Sequence, residues 1–327
     1  MKDKIKLSVL DLCPLLSGKT AYESLVHVLE LARHVESLGY ERYWMAEHHD
    51  MEGIGSSSPE VLIAHVAQGT SKIRVGSGGI MLPNHSTYHM AEVFRTLEAL
   101  YPGRIDLGLG RAPGSGSRAT QALRRGNLGA DNFPEELEDL IKYCRDEFPL
   151  KAIPIKVDIP EIWMLGSSDF GARLAAQRGL PYAFAQHFSG LSAIEVIKLY
   201  IRNFRPSEFL LAPSAMMACH IICADTDEEA DRLALSSDLS FALFFQTGRN
   251  MPLPSVAEAE KYSMSEFDRA QVRASFPKFV GSPETIKKML KPYQEAGINQ
   301  FMVTTMIYDQ EARRKSYKLI SDMLQVE

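Results

Sequence analysis

Cysteine is scarce in this chain of 327 residues: Cys13, Cys144, Cys219 and Cys223 are too few and too scattered for a disulfide framework. Cys219 and Cys223 fall in what reads as a strand and not in a metal-binding knuckle, so reduced thiols in a cytoplasmic protein are expected. A basic surplus is missing as well. Lys and Arg number 36 against 41 Asp and Glu, a net charge of −5, which leaves no footprint for nucleic acid. No run approaches the roughly 20 apolar residues of a membrane span. Lys2, Lys4 and Lys6 ahead of Leu7 to Leu10 imitate a signal peptide faintly, but Asp11 and Pro14 interrupt the run, and none is expected. Solenoid repeats and low-complexity tracts are absent. With 45% hydrophobic and 24% charged residues, the composition also excludes a disordered chain and a collagen-like repeat.

What is present is alternation. Short apolar runs at Ile5–Leu10, Tyr43–Ala46, Ile73–Leu82, Arg104–Leu109, Glu161–Leu165, Tyr182–Ala185, Met217–Ala224 and Gln300–Thr304 read as buried strands. Amphipathic stretches follow them, such as Ala21–Leu38 with Gly39 as its stop, Tyr88–Leu100, Phe170–Arg178, Leu191–Phe204 and Asp309–Leu324. Ser58-Pro59-Glu60 opens another, with an N-cap residue and proline at the first position. Strands alternating with helices imply an α/β fold with a parallel sheet. Eight such units in one chain predict a single (β/α)8 TIM barrel spanning residues 1–327, with an open doubly wound sheet as the alternative. Two stretches break the rhythm: Arg111–Phe133 after the fourth strand, and Thr247–Val280 after the seventh. Both are expected as long loops, the second as a mobile lid with room for a helix beyond Pro252 and Pro254, where the acidic, alanine-containing run Val256–Glu260 lies.

Active sites of such barrels lie at the C-terminal strand ends. Those ends carry Glu47-His48-His49, Gly76-Ser-Gly78-Gly79, Gly108-Leu-Gly-Arg111, Gly166-Ser167-Ser168 and Gln186-His187. His48 is a natural acid, base or charge stabiliser, with a structural histidine as the competing reading. His85, His89, His187 and His220 could join it around a metal, although no HExxH spacing exists. Gly108 to Gly114 looks like a dinucleotide loop, but no acidic strand end follows about 20 residues later, as that loop requires. Arg111 is a fixed cation suited to an anionic ligand, or else a surface ion pair. Ser167 and Ser168 open a helix whose N–H groups suit a phosphate if Asp169 faces outward; plain capping is the alternative. Gly78-Gly79 inside a strand permits close approach of a flat ligand or marks a bend.

Taken together, Gly39 to His49, Ile73 to Pro83, Tyr101 to Arg111, Gly166 to Ser168 and Ala175 to Pro181 resemble the bacterial luciferase-like family of flavin-dependent monooxygenases, in order along the whole chain. Pro83-Asn-His85 and Gly281-Ser-Pro-Glu284 bring it nearer to a single-chain subgroup. The resemblance implies a (β/α)8 barrel that binds reduced FMN from a separate NAD(P)H:flavin reductase. It implies oxygenation of a small organic substrate by O2 through a C4a-(hydro)peroxyflavin. His48 then matches the histidine that stabilises or protonates the flavin–oxygen adduct, and Gly78-Gly79 match a non-prolyl cis peptide beneath the isoalloxazine ring. Arg111 matches a phosphate arginine, and Ser167 and Ser168 the phosphate turn. A second phosphate arginine of the family falls near Phe133-Pro134, which cannot replace it; Arg124 or Arg125 is left to do so. A homodimer is expected. The alternatives are hydride transfer with the deazaflavin F420, flavin binding without turnover, and a metal-dependent hydrolase built from His48, His49, His85 and His187.

Overall fold

A computed structural model describes residues 5–112, 116–123 and 132–325. The first half runs β1 (Lys6–Asp11), α1 (Ala21–Ser37), β2 (Arg42–Met45), α2 (Pro59–Gly69), β3 (Arg74–Ser77), β4 (Ile80–Met81), α3 (Thr87–Leu100), β5 (Ile105–Gly110), α4 (Ser117–Leu123) and α5 (Phe133–Cys144). The second continues with β6 (Glu161–Gly166), α6 (Asp169–Arg178), β7 (Tyr182–Ala185), α7 (Ala193–Asn203), β8 (Ala215–Cys223) and α8 (Asp227–Thr247). It ends with α9 (Val256–Tyr262), α10 (Glu266–Ser275), β9 (Lys278–Gly281), α11 (Pro283–Glu295), β10 (Gln300–Thr304) and α12 (Gln310–Gln325).

Every strand pairing is parallel, and β10 pairs with both β1 and β8, so the sheet closes on itself. The expected TIM barrel is the observed fold, and the open sheet is excluded. β3 and β4 are one barrel strand interrupted at Gly78–Gly79, whose peptide bond is cis. β9 lies outside the barrel, on the outer edge of β8.

Local chemistry sets the boundaries. Thr20 and Glu23 form a reciprocal capping box at the start of α1, and Gly39 at φ 81° turns the chain away after it. Pro59 opens α2 as expected, but the Ser58 hydroxyl makes no capping bond. The lower end of the barrel is filled by charge: Asp106 takes Arg42 at 2.7 Å and the indole of Trp44 at 2.8 Å, and Glu161 takes Arg42 at 3.0 Å and Trp163 at 2.8 Å. Trp44 and Trp163 then meet edge to face, with ring centroids 5.5 Å apart. That plug leaves space only toward the C-terminal strand ends.

Both long insertions are present, but neither is wholly a loop. The first carries α4. The stretch 247–280 holds α9, α10 and β9, and it is tied down: Leu253 is buried and exchanges backbone bonds with Leu15 and Ser17, and Ser17 donates to Glu258 at 2.7 Å. Beyond Pro252 and Pro254, where the sequence leaves room for a helix, two serine N-caps, Ser255 and Ser265, start α9 and α10.

Candidate active site

A cavity of about 200 Å³ opens at the C-terminal ends of the strands. Gly78, Gly79, Arg111, Ser167 and Ser168 all line it, brought together from β3, β5 and β6. Arg124 lies outside the described residues, as does Arg125. Leu10, Met164, Ala183, Ala218 and Met302 form an apolar part of the wall.

Glycine makes the flat part of that wall. A Cβ on Gly79 would stand 2.6 Å from the Gly108 carbonyl oxygen, and one on Gly108 would stand 2.1 Å from that of Ser77. Two strands therefore approach more closely there than side chains allow.

Beside it is a site for negative charge. Arg111 lies with its guanidinium 4.1 Å from the Phe170 ring centroid, which holds it next to the first turn of α6. Ser168 is the N-cap of α6, yet its side chain makes no capping bond. The turn is fixed through its carbonyls instead, Ser167 accepting from the Ser189 hydroxyl at 2.7 Å and Ser168 from the Tyr182 hydroxyl at 3.2 Å. Asp169 meets the condition set for it: it is exposed, pairs with Arg173 at 3.1 Å and does not line the cavity. No carboxylate lines the cavity among the described residues. A cation, a helix N-terminus and two hydroxyls, with the Asp169 carboxylate paired to Arg173 and outside the lining, suit a phosphate.

The histidines divide. His49 and His85 meet on a carboxylate: both place Nε2 on Glu47 Oε1, at 2.8 and 2.9 Å. Glu47 is fully buried, and also accepts from the Met81 amide at 2.8 Å. Burial raises its pKa, but the bonds from His85, His49 and Met81 outweigh burial and hold it below the ordinary carboxyl value. Glu47 thus ties the end of β2 to β4, a role that sequence reading missed because its partners lie 34 and 38 residues away. His48 is half-buried, donates its amide to the Ser56 carbonyl at 3.3 Å, and is near enough to His187 to depress its basicity. His187 lines the cavity, and His220 lies buried with Nε2 receiving the Met306 amide at 3.3 Å. Among the described residues no three His, Cys, Asp or Glu side chains are grouped to hold a metal ion. No helix among them is long and apolar enough to cross a membrane.

The model of the luciferase-like monooxygenase family matches residues 5–300. The chain belongs to this family. It is similar to a luciferase-like monooxygenase of Escherichia coli K12, 42% identical over 99% of this chain and 98% of that one. An N-acetyl-S-alkylcysteine monooxygenase of Bacillus subtilis is 35% identical over 97% of this chain and 98% of its own length. Among solved structures, apo-MsnO8 is 36% identical, covers 99% of both chains and superposes with a TM-score of 0.91. Two more distant structures share the fold alone. One is the oxygenating constituent of a Pseudomonas putida 3,6-diketocamphane monooxygenase in complex with FMN (19% identical, 98% of both chains, TM-score 0.73). The other is an F420-dependent secondary alcohol dehydrogenase (14%, 98% of this chain and 99% of that one, TM-score 0.67).

This luciferase-like monooxygenase is therefore an oxidoreductase. Its Glu47 offers a first test. Glu47→Gln keeps the shape but removes the charge that two histidines share, and is expected to cost about 1–3 kcal/mol, measured as a shift of the urea midpoint without a change in slope. Because the carboxyl pKa is depressed on folding, the wild-type advantage should be full above the ordinary value of 4.5 and shrink as pH falls below it. Equal midpoints for the two proteins at pH 7 would discard this role.

Proposed function

We propose that this enzyme is the oxygenating component of a two-component, FMN-dependent monooxygenase acting on a small organic substrate. The observation that carries the reading is the juxtaposition, on one cavity that no carboxylate of the described residues lines, of a glycine wall with Arg111 and the start of α6. Reduced FMN, when bound, would supply the electrons that activate dioxygen, one oxygen atom going to substrate. The chain's own residues bind and orient. Gly78 and Gly79 offer a surface without side chains to a flat ring, Arg111 with Ser167 and Ser168 takes the phosphate, and His48, which stands near His187 and does not itself line the cavity, holds or moves a proton. The apolar wall from Leu10, Met164 and Met302 excludes water and receives the substrate. A separate reductase supplies the reduced flavin.

The test is anaerobic titration with reduced FMN and reduced F420 in parallel, on wild type and Arg111→Ala. Reduced FMN should bind the wild type, and removal of a charge-assisted phosphate contact should weaken it about 10- to 100-fold. Riboflavin, which has no phosphate, should bind both proteins alike. Binding of F420 alone would move the function to hydride transfer, and an equal loss of FMN and riboflavin would remove Arg111 from the phosphate.

A further inference from the structure

His187 sits in the short turn that follows β7, with its side chain buried and facing the cavity. Its Nδ1 lies 3.1 Å from the carbonyl oxygen of Ala218 in β8. A carbonyl only accepts, so Nδ1 carries the hydrogen of that bond. In the neutral ring Nε2 is then a bare lone pair, able only to accept. That nitrogen is buried and has no hydrogen-bond partner among the described residues. Of the residues lining the same cavity, Met164, Ala183, Ala218 and Met302 have no polar side-chain hydrogen to give it, and Arg111, Ser167 and Ser168, which have, make no hydrogen bond to it. Contact with Phe188, ring centroids 4.0 Å apart, fixes the plane of the imidazole.

The alternative is a second proton on Nε2. Burial opposes it, and the Ala218 carbonyl does not compensate; with His48 also nearby the pKa is pushed down to about 4. His220, buried behind it, is itself pushed well below its ordinary value, by burial first and then by Lys278, and brings no anion to the ring. At neutral pH His187 stays an acceptor. A buried acceptor without a donor is costly, and a ligand that supplies the donor recovers that cost.

We propose that His187 Nε2 is a specificity-determining acceptor, receiving a hydrogen bond from an N–H or O–H group of the molecule that fills the cavity. Two molecules could bring this donor: an organic substrate with an apolar body and one donor, or a ring N–H of the flavin. The proposal rests on the flavin reading only for which molecule that is.

The experiment uses the full chain as wild type, His187→Phe and His187→Gln. The phenylalanine keeps a ring without an acceptor, and the glutamine keeps an acceptor oxygen without the ring. Nitrogen NMR of histidine-labelled wild type should show Nδ1 protonated and Nε2 bare. Calorimetric titrations then use two matched pairs: 4-ethylphenol against 4-ethylanisole, and FMN against its N3-methylated form. If substrate brings the donor, wild type should prefer the phenol about tenfold, His187→Phe should lose the preference, His187→Gln should keep part of it, and only the phenol should move the Nε2 resonance. If the flavin brings it, the same pattern appears in the FMN pair instead. Preference in neither pair, preference that survives His187→Phe, or an NMR spectrum with Nε2 protonated would each overturn the proposal. Should His187→Phe fail to fold, the wild-type spectrum and His187→Gln still decide. A wild type that discriminates the phenols but binds no reduced FMN in the anaerobic titration would uphold His187 while sinking the FMN function.

Discussion

Asp238→Ala is expected to cost about 3–5 kcal/mol. Asp238 lies on α8 with no exposed surface, and three cations converge on it: Arg269 at 2.8 Å, Arg273 at 2.8 Å and Lys278 at 2.6 Å. The first two, which also pair with Asp231, come from α10 and the third from β9, so this carboxylate fastens α10 and β9 to α8. Lys278 is itself buried, donates to Ser237 at 2.9 Å and lies over the Phe241 ring. Removing the carboxylate strands its charge in a dry site, which is where most of the cost arises. Urea unfolding measures the global loss, and limited proteolysis within 247–280 shows whether the insertion detaches first. Replacing both Asp238 and Lys278 by apolar residues should recover part of the loss, because no unpaired buried charge then remains between them. A single-mutant cost below about 0.5 kcal/mol, the scale of an ordinary surface change, would refute the anchor.

Acid should expose the same dependence. Burial raises the Asp238 pKa, but Lys278, Arg273 and Arg269 overcome it and hold the carboxyl at about 2, against an ordinary 3.8. A carboxyl depressed on folding gives its full contribution above the ordinary value and loses it as pH falls through the folded one. Wild type should therefore shed roughly 2 kcal/mol between pH 4 and 2 that Asp238→Ala no longer has to lose.

The sequence disclosed the barrel because strands buried on both faces read as apolar runs, as Tyr43–Ala46 and Gln300–Thr304 do. β9 gave no such signal: it opens on the charged Lys278, and Phe279 and Val280 are only partly buried, on a strand that pairs with β8 alone. The parts of the candidate site that were legible are fixed by position in the chain. Gly78, Gly79, Arg111, Ser167 and Ser168 stand at strand ends, and strand ends share one rim. Glu47 and His187 were readable as residues but not as roles. One depends on partners across β4 and the following turn, the other on a carbonyl of the neighbouring strand that leaves a single nitrogen bare. No periodicity encodes such a contact.

Gly79 and Gly78 should respond very differently to alanine, although they are neighbours in one wall. A Cβ on Gly79 would meet the Gly108 oxygen at 2.6 Å, the Gly108 carbonyl carbon at 2.8 Å and the Leu109 nitrogen at 3.1 Å. All three are backbone atoms of β5, so relief requires β5 itself to shift. β5 ends at Gly110, immediately before Arg111, and its displacement would carry the guanidinium away from α6. Gly79→Ala is expected to cost about 3 kcal/mol, the upper part of the overpacking range, and to weaken reduced FMN further than Arg111→Ala does, because the ring wall and the phosphate cation are lost together. At Gly78 the nearest atom is Leu10 Cδ1 at 2.5 Å, the free end of a side chain, followed by Trp44 Cβ at 3.1 Å. A leucine methyl can turn aside, so Gly78→Ala should cost about 1 kcal/mol and leave Arg111 in place. Urea midpoints and reduced-FMN titrations on the two variants make the comparison. If both substitutions cost the same, backbone contact with β5 does not set this wall; if Gly79→Ala unfolds more easily yet binds FMN as wild type does, the wall is structural and the flavin lies elsewhere.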